Sequence, residues 1–210
     1  ENGTAGGLLK TSNRLSSTHL NAGPQAPYRY DLHGNTTFMQ HLSMGSNDPN
    51  LVWDYADRLR HVARDDGADY VYDSAGQRVR KIWHKSVGHT EERIYLGGFE
   101  LFRTYQGPIT ADDPELERET LHVMDDQRRI ALVETRTLGN VAAPEQLIRY
   151  QHDNHLGSAA VELDGDAKIL SYEEYAPYGS STYQAIATET PKRYRYTGKE
   201  RDEETGLQCH

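Results

Sequence analysis

Histidine is the first residue type in this sequence that could do chemistry, because the chain contains 10 of them. His152 and His155 flank Asp153 and Asn154, and imidazole nitrogens and carboxylates are ligands that Zn²⁺ accepts. A strong zinc site needs two further ligands at a workable spacing, and the sequence identifies none for this pair. A hydrogen-bonded turn, in which Asp153 and Asn154 cap the backbone, explains the stretch more simply. We therefore expect no metal ion and no cofactor.

Serine, cysteine and paired carboxylates give no recognisable catalytic set. The sequence has no Gly-x-Ser-x-Gly nucleophile elbow, and the lone Cys209 stands beside His210 at its end. Adjacent carboxylates such as Glu173 and Glu174 point to opposite faces of a strand, so they do not form an acid–base couple. We expect no enzymatic activity from this chain.

Composition excludes several broad classes of protein. Only 36% of the 210 residues are hydrophobic and the mean hydropathy is -0.83, yet 14 tyrosines accompany 3 phenylalanines and 2 tryptophans. Tyrosine rings bury apolar surface, so we expect a folded chain. The net charge of -9 disfavours nucleic acid, and the one basic patch, 192–201, is followed at once by acidic residues. No apolar run is long enough to span a membrane, and we expect no signal peptide within this sequence.

A short phrase recurs along the first third of the chain. Tyr-x-Tyr-Asp-x-x-Gly occurs at 28–34 and at 70–76, and an altered form, LVWDYAD, occurs at 51–57. The aspartates are spaced by about 20 residues, which is a period typical of stacked hairpins. The residues assigned to this structural repeat are Tyr28, Tyr30, Asp31, Gly34, Trp53, Asp54, Tyr70, Tyr72, Asp73 and Gly76.

One repeat unit predicts a strand, a tight turn and a second strand. Tyr-x-Tyr places two rings on one face of a strand, because side chains alternate with a period of two. The aspartate then begins a turn by accepting backbone N–H bonds, and the glycine takes the positive φ that the turn needs. We expect the rings of neighbouring units to stack as a ladder along the sheet.

Looser phrases with the same rhythm continue to the end of the chain. They predict more hairpins, with turns at Gly97-Gly98, at 125–127, from Asp153 to Gly157, and at 164–166. Residues 112–119 alone suggest a helix, with a charged loop as the alternative, and 106–116 suggest an insertion or mobile loop. We predict one all-β array: a poorly ordered or partial repeat over 1–27, repeat sheet over 28–207 and a tail over 208–210.

The ordered series of phrases resembles the YD-repeat, or rearrangement-hotspot (Rhs), family, in particular the C-terminal part of the Rhs core. Similar repeats occur in the C component of insecticidal toxin complexes and, more distantly, in teneurins. The resemblance covers roughly residues 28–207 and is strongest over 148–207. The phrases that carry it are IYLGGFELFR, ETLHVMDDQRRIALVETRT, LIRYQHDNHLGSAAVELD, LSYEEYAPYG and KRYRYTGKERDEETGL.

The resemblance implies an antiparallel β-hairpin array that forms part of a spiralling sheet. In the family that sheet is a shell around a toxic C-terminal polypeptide. The resemblance also implies that the protein is secreted or held at the cell surface. Many members continue into an Asp-Pro-x-Gly-Leu motif that cleaves the cargo free. Here Asp48-Pro49 and Asp113-Pro114 are followed by other residues, so the self-cleavage role cannot be carried over.

Two functions of different classes therefore remain open. The first is a structural shell segment whose partners are the remainder of the parent shell and an enclosed toxin polypeptide. The second is a binding module that recognises glycan or protein on a cell surface through a tyrosine-rich face. A shell segment would keep Tyr28, Tyr30, Tyr70 and Tyr72 within a continuous sheet, whereas a binder would line an open groove with them. Exposed strand edges also predict self-association of the isolated piece.

Overall fold

The computed structural model describes residues 13–19, 23–43, 45–64, 66–85, 88–109, 113–126, 128–140, 142, 144–188 and 191–208. These residues form β-strands and tight turns, with short 3-10 turns at Gln40–Leu42 and Tyr196–Gly198 and no α-helix. In the same residues, no helix has the length and apolar character needed to cross a membrane. The prediction of an all-β, antiparallel hairpin fold is confirmed.

The strands follow one another in sequence with short connections. They are β1 (Ser17–Thr18), β2 (Ala26–Tyr30), β3 (Thr36–Met39), β4 (Leu51–Trp53), β5 (Leu59–Val62), β6 (Ala68–Tyr72), β7 (Arg78–Lys85), β8 (His89–Leu96), β9 (Phe99–Gln106), β10 (Leu116–Asp125), β11 (Arg128–Leu138), β12 (Gln146–Asp153), β13 (Ala159–Leu163), β14 (Ile169–Tyr175) and β15 (Ser181–Ile186).

The chain divides into two compact units, Glu1–Ser86 and Val87–His210. In the first unit, β1–β3 form a small antiparallel sheet and β4–β7 follow as an antiparallel meander. In the second unit, each strand from β8 to β14 pairs with the next one along the chain. The division at 27 and 207 that the repeats suggest stays a prediction.

The helix predicted over 112–119 is wrong. From Leu116 onward the chain is strand β10, which pairs with β9 and with β11 over most of its length. Asp113 and Pro114 resemble a helix start in sequence, but from Glu117 onward the strands on both sides offer hydrogen-bond partners to the backbone. Pairing across the sheet therefore overrides the local preference.

The first unit has a small apolar core. Leu42, Leu51, Val62, Ala68 and Tyr70 are buried together, and partly buried side chains pack against them. These residues come from β4, β5, β6 and the 3-10 turn, so one face of the meander is sealed by hydrophobic contact. The partly buried side chains around them are Met39, Leu59, Tyr72 and Trp83.

One hairpin turn recurs in both units. The N–H of its first residue donates to the carbonyl of the residue four places later, and the N–H of its fourth residue donates back to the carbonyl of the first. Several copies follow a shift in strand register, which is the pattern of a short hairpin loop with a bulge. The copies begin at Asp31, Asp54, Asp73, Asn154, Asp164, Ala176 and Arg195.

The fourth residue of each of these turns has a positive φ. Glycine fills the position in the turns that begin at Asp31 and Asp73, with φ of 106° at Gly34 and 82° at Gly76. Two copies place a residue with a side chain there: Asp57 has a φ of 58° and Ala167 a φ of 61°. The left-handed region strains any residue with a Cβ, so these two turns are less favourable locally.

Exchanging residues at the fourth turn position should change stability in opposite directions. Gly76→Ala should destabilise the fold by about 1 kcal/mol and Ala167→Gly should stabilise it by about 0.5 kcal/mol, because only glycine tolerates the left-handed backbone without cost. A Cβ at Gly76 meets no atom within 4 Å, so the effect isolates the backbone. Urea denaturation measures both changes.

Gly165→Ala is the matched control for these exchanges. Gly165 also has open space around its Cβ position but no positive φ, so its replacement should leave stability unchanged or slightly raised. Equal destabilisation by Gly76→Ala and Gly165→Ala would show that φ does not govern these turns.

Candidate functional site

The aspartates of the predicted repeat stand at the start of turns. Asp31 Oδ1 accepts the backbone N–H groups of Gly34 at 2.8 Å and of Asn35 at 2.9 Å. Asp54 makes the same kind of bonds to its own turn, and Asp73 Oδ1 accepts from the N–H of Gln77 at 2.9 Å. Burial raises the pKa of Asp31, but the backbone and Asn35 hydrogen bonds outweigh it and lower the pKa overall.

The tyrosines of the predicted repeat lie within the strands of the first unit. Tyr70 is 3% exposed in the apolar core, and Tyr72 packs against that core while its O–H donates to the Leu59 carbonyl at 2.9 Å. Tyr28 and Tyr30 are half-buried in β2. The Tyr30 O–H donates to the Leu15 carbonyl at 2.7 Å, so the ring tips of Tyr30 and Tyr72 are tied to the backbone.

Arginine side chains lie beside several of these rings. The guanidinium carbon of Arg78 is 5.4 Å from the Tyr70 ring centre, Arg58 is 5.4 Å from Tyr72, and Arg14 is 5.5 Å from Tyr30. The sequence predicts a stacked ladder of rings, whereas the observed contacts place a cation beside each of these three rings. Such contacts add roughly 0.5–1 kcal/mol each at partly exposed positions.

The remaining aromatic of the repeat, Trp53, also bonds to the backbone. Its indole N–H donates to the Thr36 carbonyl of β3 at 2.8 Å. Trp83 makes the equivalent bond to the Asp66 carbonyl at 3.0 Å. These bonds hold the indole rings at partly buried positions in the strands.

The turn tips of the first unit are tied to one another. Asp57 Oδ1 accepts from the Asn35 side chain at 2.7 Å and lies 2.8 Å from His33 Nδ1, so the turn at 54–58 is joined to the turn at 31–35. Arg58 Nη1 donates to the Asp73 carbonyl at 2.8 Å, which joins the turn at 73–77 to the same row. The hydrogen bond and charge of Asp57 raise the pKa of His33.

In the second unit one face of the sheet is both polar and buried. Residues that are paired across antiparallel strands lie on the same face, and the pairs Glu100–Thr120, Thr120–Glu134, Gln151–Glu162 and Glu162–Ser171 trace it from β9 to β14. We call it the buried polar face. Its fully or nearly buried members are Glu100, Thr120, Glu134, Arg149, Gln151, Glu162, Ser171 and Glu173.

Residues 191–208, here called the C-terminal segment, supply charged and aromatic groups to this face. Glu100, only 1% exposed, lies 2.8 Å from Arg193 Nη1 and accepts a hydrogen bond from the Tyr194 O–H. From the sheet, His122 Nε2 lies 2.7 Å from the same carboxylate and Arg93 Nη1 lies 3.1 Å from it. Glu100 therefore joins two sheet strands to the segment.

The electrostatics of this cluster keep Glu100 an anion. Burial would raise its pKa, but the charge of Arg193, the hydrogen bond of His122 and the charge of Arg93 together lower it well below the usual range. Burial and the nearby Glu100 carboxylate raise the pKa of Tyr194 well above its usual value, so its phenol stays a donor. At neutral pH the Glu100 anion therefore holds Arg93, Arg193 and Tyr194 around it.

A second charged cluster joins three neighbouring strands. Arg149 on β12 lies between two carboxylates, with Nε 2.8 Å from Glu134 of β11 and Nη1 3.0 Å from Glu162 of β13. Glu162 also accepts from the Gln151 amide and the Ser171 hydroxyl, each at 2.8 Å. All of these side chains are buried, so their charges are compensated without water.

A third cluster surrounds Glu173 and again includes the C-terminal segment. Its carboxylate lies 3.4 Å from Lys192 Nζ and 3.0 Å from Arg195 Nη1, and it accepts the Tyr175 O–H at 3.0 Å and the Ser181 hydroxyl. Lys192 also donates to the Ala159 carbonyl. Burial raises the pKa of Glu173, but the Ser181 hydrogen bond and the two cations lower it overall.

Several cations of the basic stretch 192–201 thus form ion pairs within the second unit. Lys192, Arg193 and Arg195 face carboxylates of the sheet, and Lys192 is only 2% exposed. These cations are not presented to a polyanion. Sequence inspection missed the carboxylates that pair with them and the buried Arg149–Glu162 pair, because such residues alternate with apolar ones and alternation usually marks a solvent face.

The histidines near 152–155 are exposed, His152 on β12 and His155 in the following turn. In the described ranges, no group of three or more His, Cys, Asp or Glu side chains is arranged to hold a metal ion. Cys209 lies outside the described residues. Every buried side-chain N or O atom in the described part of the chain has a hydrogen-bond partner.

Comparison with known proteins relates the chain to toxin subunits. No family model matches it. Toxin subunit YenC2 of Yersinia entomophaga is 32% identical over 177 residues, which cover 75% of this chain and 17% of the relative. Toxin subunit YenC1 of the same organism is 32% identical over 164 residues, covering 71% of this chain and 16% of the relative. The chain therefore spans about one sixth of the length of these relatives.

Solved structures of a toxin complex share the fold. The crystal structure of TcdB2-TccC3 without hypervariable C-terminal region is 25% identical with a TM-score of 0.69, over 88% of this chain and 10% of that chain. The Tc holotoxin pore of Photorhabdus luminescens is 26% identical with a TM-score of 0.67, over 88% of this chain and 11% of that chain. The fold described above is thus a small part of a much larger chain in those structures.

The contact between His33 and Asp57 should make the first unit more stable in mild acid. The folded pKa of His33 is raised above the usual 6.5, so its stabilisation is fully present below about 6.5 and is lost as the pH rises through the raised value. His33→Gln should therefore cost more stability at pH 5.5 than at pH 8, as measured by urea denaturation. His155→Gln, at an exposed histidine, is the control, and an equal cost at both pH values would contradict the assignment.

Removing the cation of the second cluster should destabilise the second unit strongly. Arg149→Met leaves Glu134 and Glu162 buried without their shared guanidinium, at a cost of about 3–5 kcal/mol. Arg60→Met removes an exposed arginine from a strand and should cost less than about 0.5 kcal/mol. Chemical denaturation compares the two variants, and equal values would mean that Arg149 does not compensate these carboxylates.

Proposed function

We propose that this chain is a structural wall segment of a toxin-complex C subunit, in which the β-sheet helps to enclose a toxic C-terminal polypeptide. The observation that carries the proposal is the similarity to YenC2 over 75% of the chain, together with the fold shared with TcdB2-TccC3. That TcdB2-TccC3 structure is without a hypervariable C-terminal region, and a region of this kind is what a common wall would hold.

The geometry suits a wall that must be stiff without a thick apolar core. In the second unit, charges and hydrogen bonds join strands β9 to β14 and fasten the C-terminal segment over them. In the first unit, Asp57 and Arg58 join successive turn tips. Both devices tie neighbouring strands to each other, which is what a sheet needs if it is to resist opening.

We further propose that the chain has no catalysis of its own and that its partners are the rest of the parent wall and the enclosed polypeptide. The proposed site of action is outside the producing cell or at its surface, as for a secreted toxin component. The clusters around Glu100 and Glu173 support a structural role, because each carboxylate is held as an anion by several donors at once.

Limited proteolysis of the longest natural chain that carries this sequence tests the proposal. We expect the region that follows this segment to resist trypsin in the native protein and to be digested at least about tenfold faster after the wall is opened with urea. The same region expressed alone is the control for its intrinsic sensitivity. Digestion at equal rates in the native protein and alone would refute enclosure.

The competing function, a surface-binding module, predicts a different outcome. A binder would leave any following region open to trypsin, and substitution of the half-buried Tyr28 or Tyr30 would abolish attachment to cells without changing proteolysis. Protection in the native protein, together with undiminished attachment of a Tyr28→Leu variant to cells, would favour the wall.

A further inference from the structure

Strand β15 forms an open edge of the sheet in the second unit. It pairs with β14 on one side, and within the described ranges no strand pairs with its other side. The residues from Thr182 to Ile186 are exposed on both faces of the strand, including Tyr183 at 55% and Ile186 at 47%. In the described part of the chain, the strand therefore has neither a neighbour nor a covering layer on its outer side.

The backbone of β15 presents hydrogen-bonding groups along this edge. Ala187 N–H donates to the Leu170 carbonyl at 2.8 Å, and backbone groups of an antiparallel strand alternate in direction. The N–H groups of Tyr183 and Ala185 therefore point to β14, whereas those of Gln184 and Ile186 point outward. The carbonyl group of each residue points to the same side as its N–H. The outer edge therefore offers the donors and acceptors of Gln184 and Ile186 at the spacing that a neighbouring strand needs.

Strand β15 also lacks the residue types that prevent a further strand from pairing with an edge. Soluble proteins usually protect an edge strand with charged residues or proline. The sequence of β15, STYQAI, contains neither. By contrast, the paired strand β14 carries Glu173 and Glu174. An uncharged, β-prone edge of this length is the structure that accepts a further strand by β-augmentation.

From these observations we infer that the outer edge of β15 is a docking site for an extended segment of the same parent polypeptide, which adds to the sheet as a further strand. This inference rests on the proposed function, because it takes the chain to be part of a longer wall. The occupant is recognised through main-chain hydrogen bonds to Gln184 and Ile186, and its side chains cover Tyr183 and Ile186.

Charge and length favour a segment of the parent over a second copy of this chain. Each copy carries a net charge of -9, so edge-to-edge pairing of two copies brings like charges together. The curated relatives are about six times as long as the matched region, and such a length supplies many candidate strands. A strand of the same polypeptide also docks at a high effective concentration.

Hydrogen exchange in the longest natural chain tests the docking site. The inward amides of Tyr183 and Ala185 should be protected in any case. The outward amides of Gln184 and Ile186 should be protected at least about tenfold only if a strand is docked on them. Fast exchange of the outward amides beside slow exchange of the inward ones would overturn the inference.

A proline substitution then separates docking from stability of the existing sheet. Ile186→Pro removes an outward N–H and places a ring on the edge, so it should abolish protection of the Gln184 amide while β14 stays paired. Ile186→Thr keeps the N–H and serves as the matched control. If both variants retain protection of Gln184, the amide is shielded by something other than a docked strand, and the inference fails.

Photo-crosslinking identifies the occupant. With p-benzoylphenylalanine in place of Tyr183, the crosslinked peptide should come from the same polypeptide outside residues 1–210. The same probe in place of Tyr178, which is 98% exposed in the preceding turn, should give no such crosslink. A crosslink to a second copy would overturn the assignment. These readouts are independent of trypsin resistance, so a free edge in a trypsin-resistant protein would refute docking and leave the enclosing wall intact.

Discussion

The carboxylate of Glu100 is held out of water, and the second unit is organised around the need to compensate such charges. A buried anion is tolerated only where cations and donors surround it, and here they come from β8, from β10 and from the C-terminal segment. None of these elements can leave without stranding a charge. Glu173 and Arg149 are also buried charges that need partners of opposite charge. The ion pairs between strands, and between strands and the C-terminal segment, therefore hold the second unit together.

The two units bury different kinds of side chain. The first unit seals one face of its meander with Leu51, Val62 and Tyr70, which is ordinary hydrophobic packing. The second unit buries chiefly polar and charged side chains on the face beneath its C-terminal segment. Ion pairs demand defined directions and distances, whereas apolar contacts do not. Its strands are therefore held in one arrangement more strictly than a purely apolar layer would hold them.

The sequence predicts local features such as turns, but it does not predict ion pairs between residues that are distant along the chain. The roles of Asp31 and Gly76 could be predicted because a turn is decided within five residues, by side-chain bonds to nearby amides and by a positive φ. Asp57 also has a positive φ but is not glycine: the altered phrase at 51–57 places it at the position of Gly34 and Gly76, whereas its residue type alone does not indicate a left-handed backbone. Arg149 and Glu162 alternate with apolar neighbours and so resemble solvent-facing residues. Arg149 has its partners on the two neighbouring strands, 15 and 13 residues away along the chain, and no local pattern reveals that pairing.

The alternation along the strands of the second unit has a consequence for how such chains can change over generations. One residue inserted within β11 would turn Glu134 toward solvent and place Val133 or Thr135 beneath the C-terminal segment, because a shift of one position exchanges the two faces. Arg149 would then lose one of its two carboxylate partners and keep only Glu162. Strand lengths in this unit should therefore be nearly invariant among descendants, while gains and losses of residues accumulate in connections such as the one from β9 to β10.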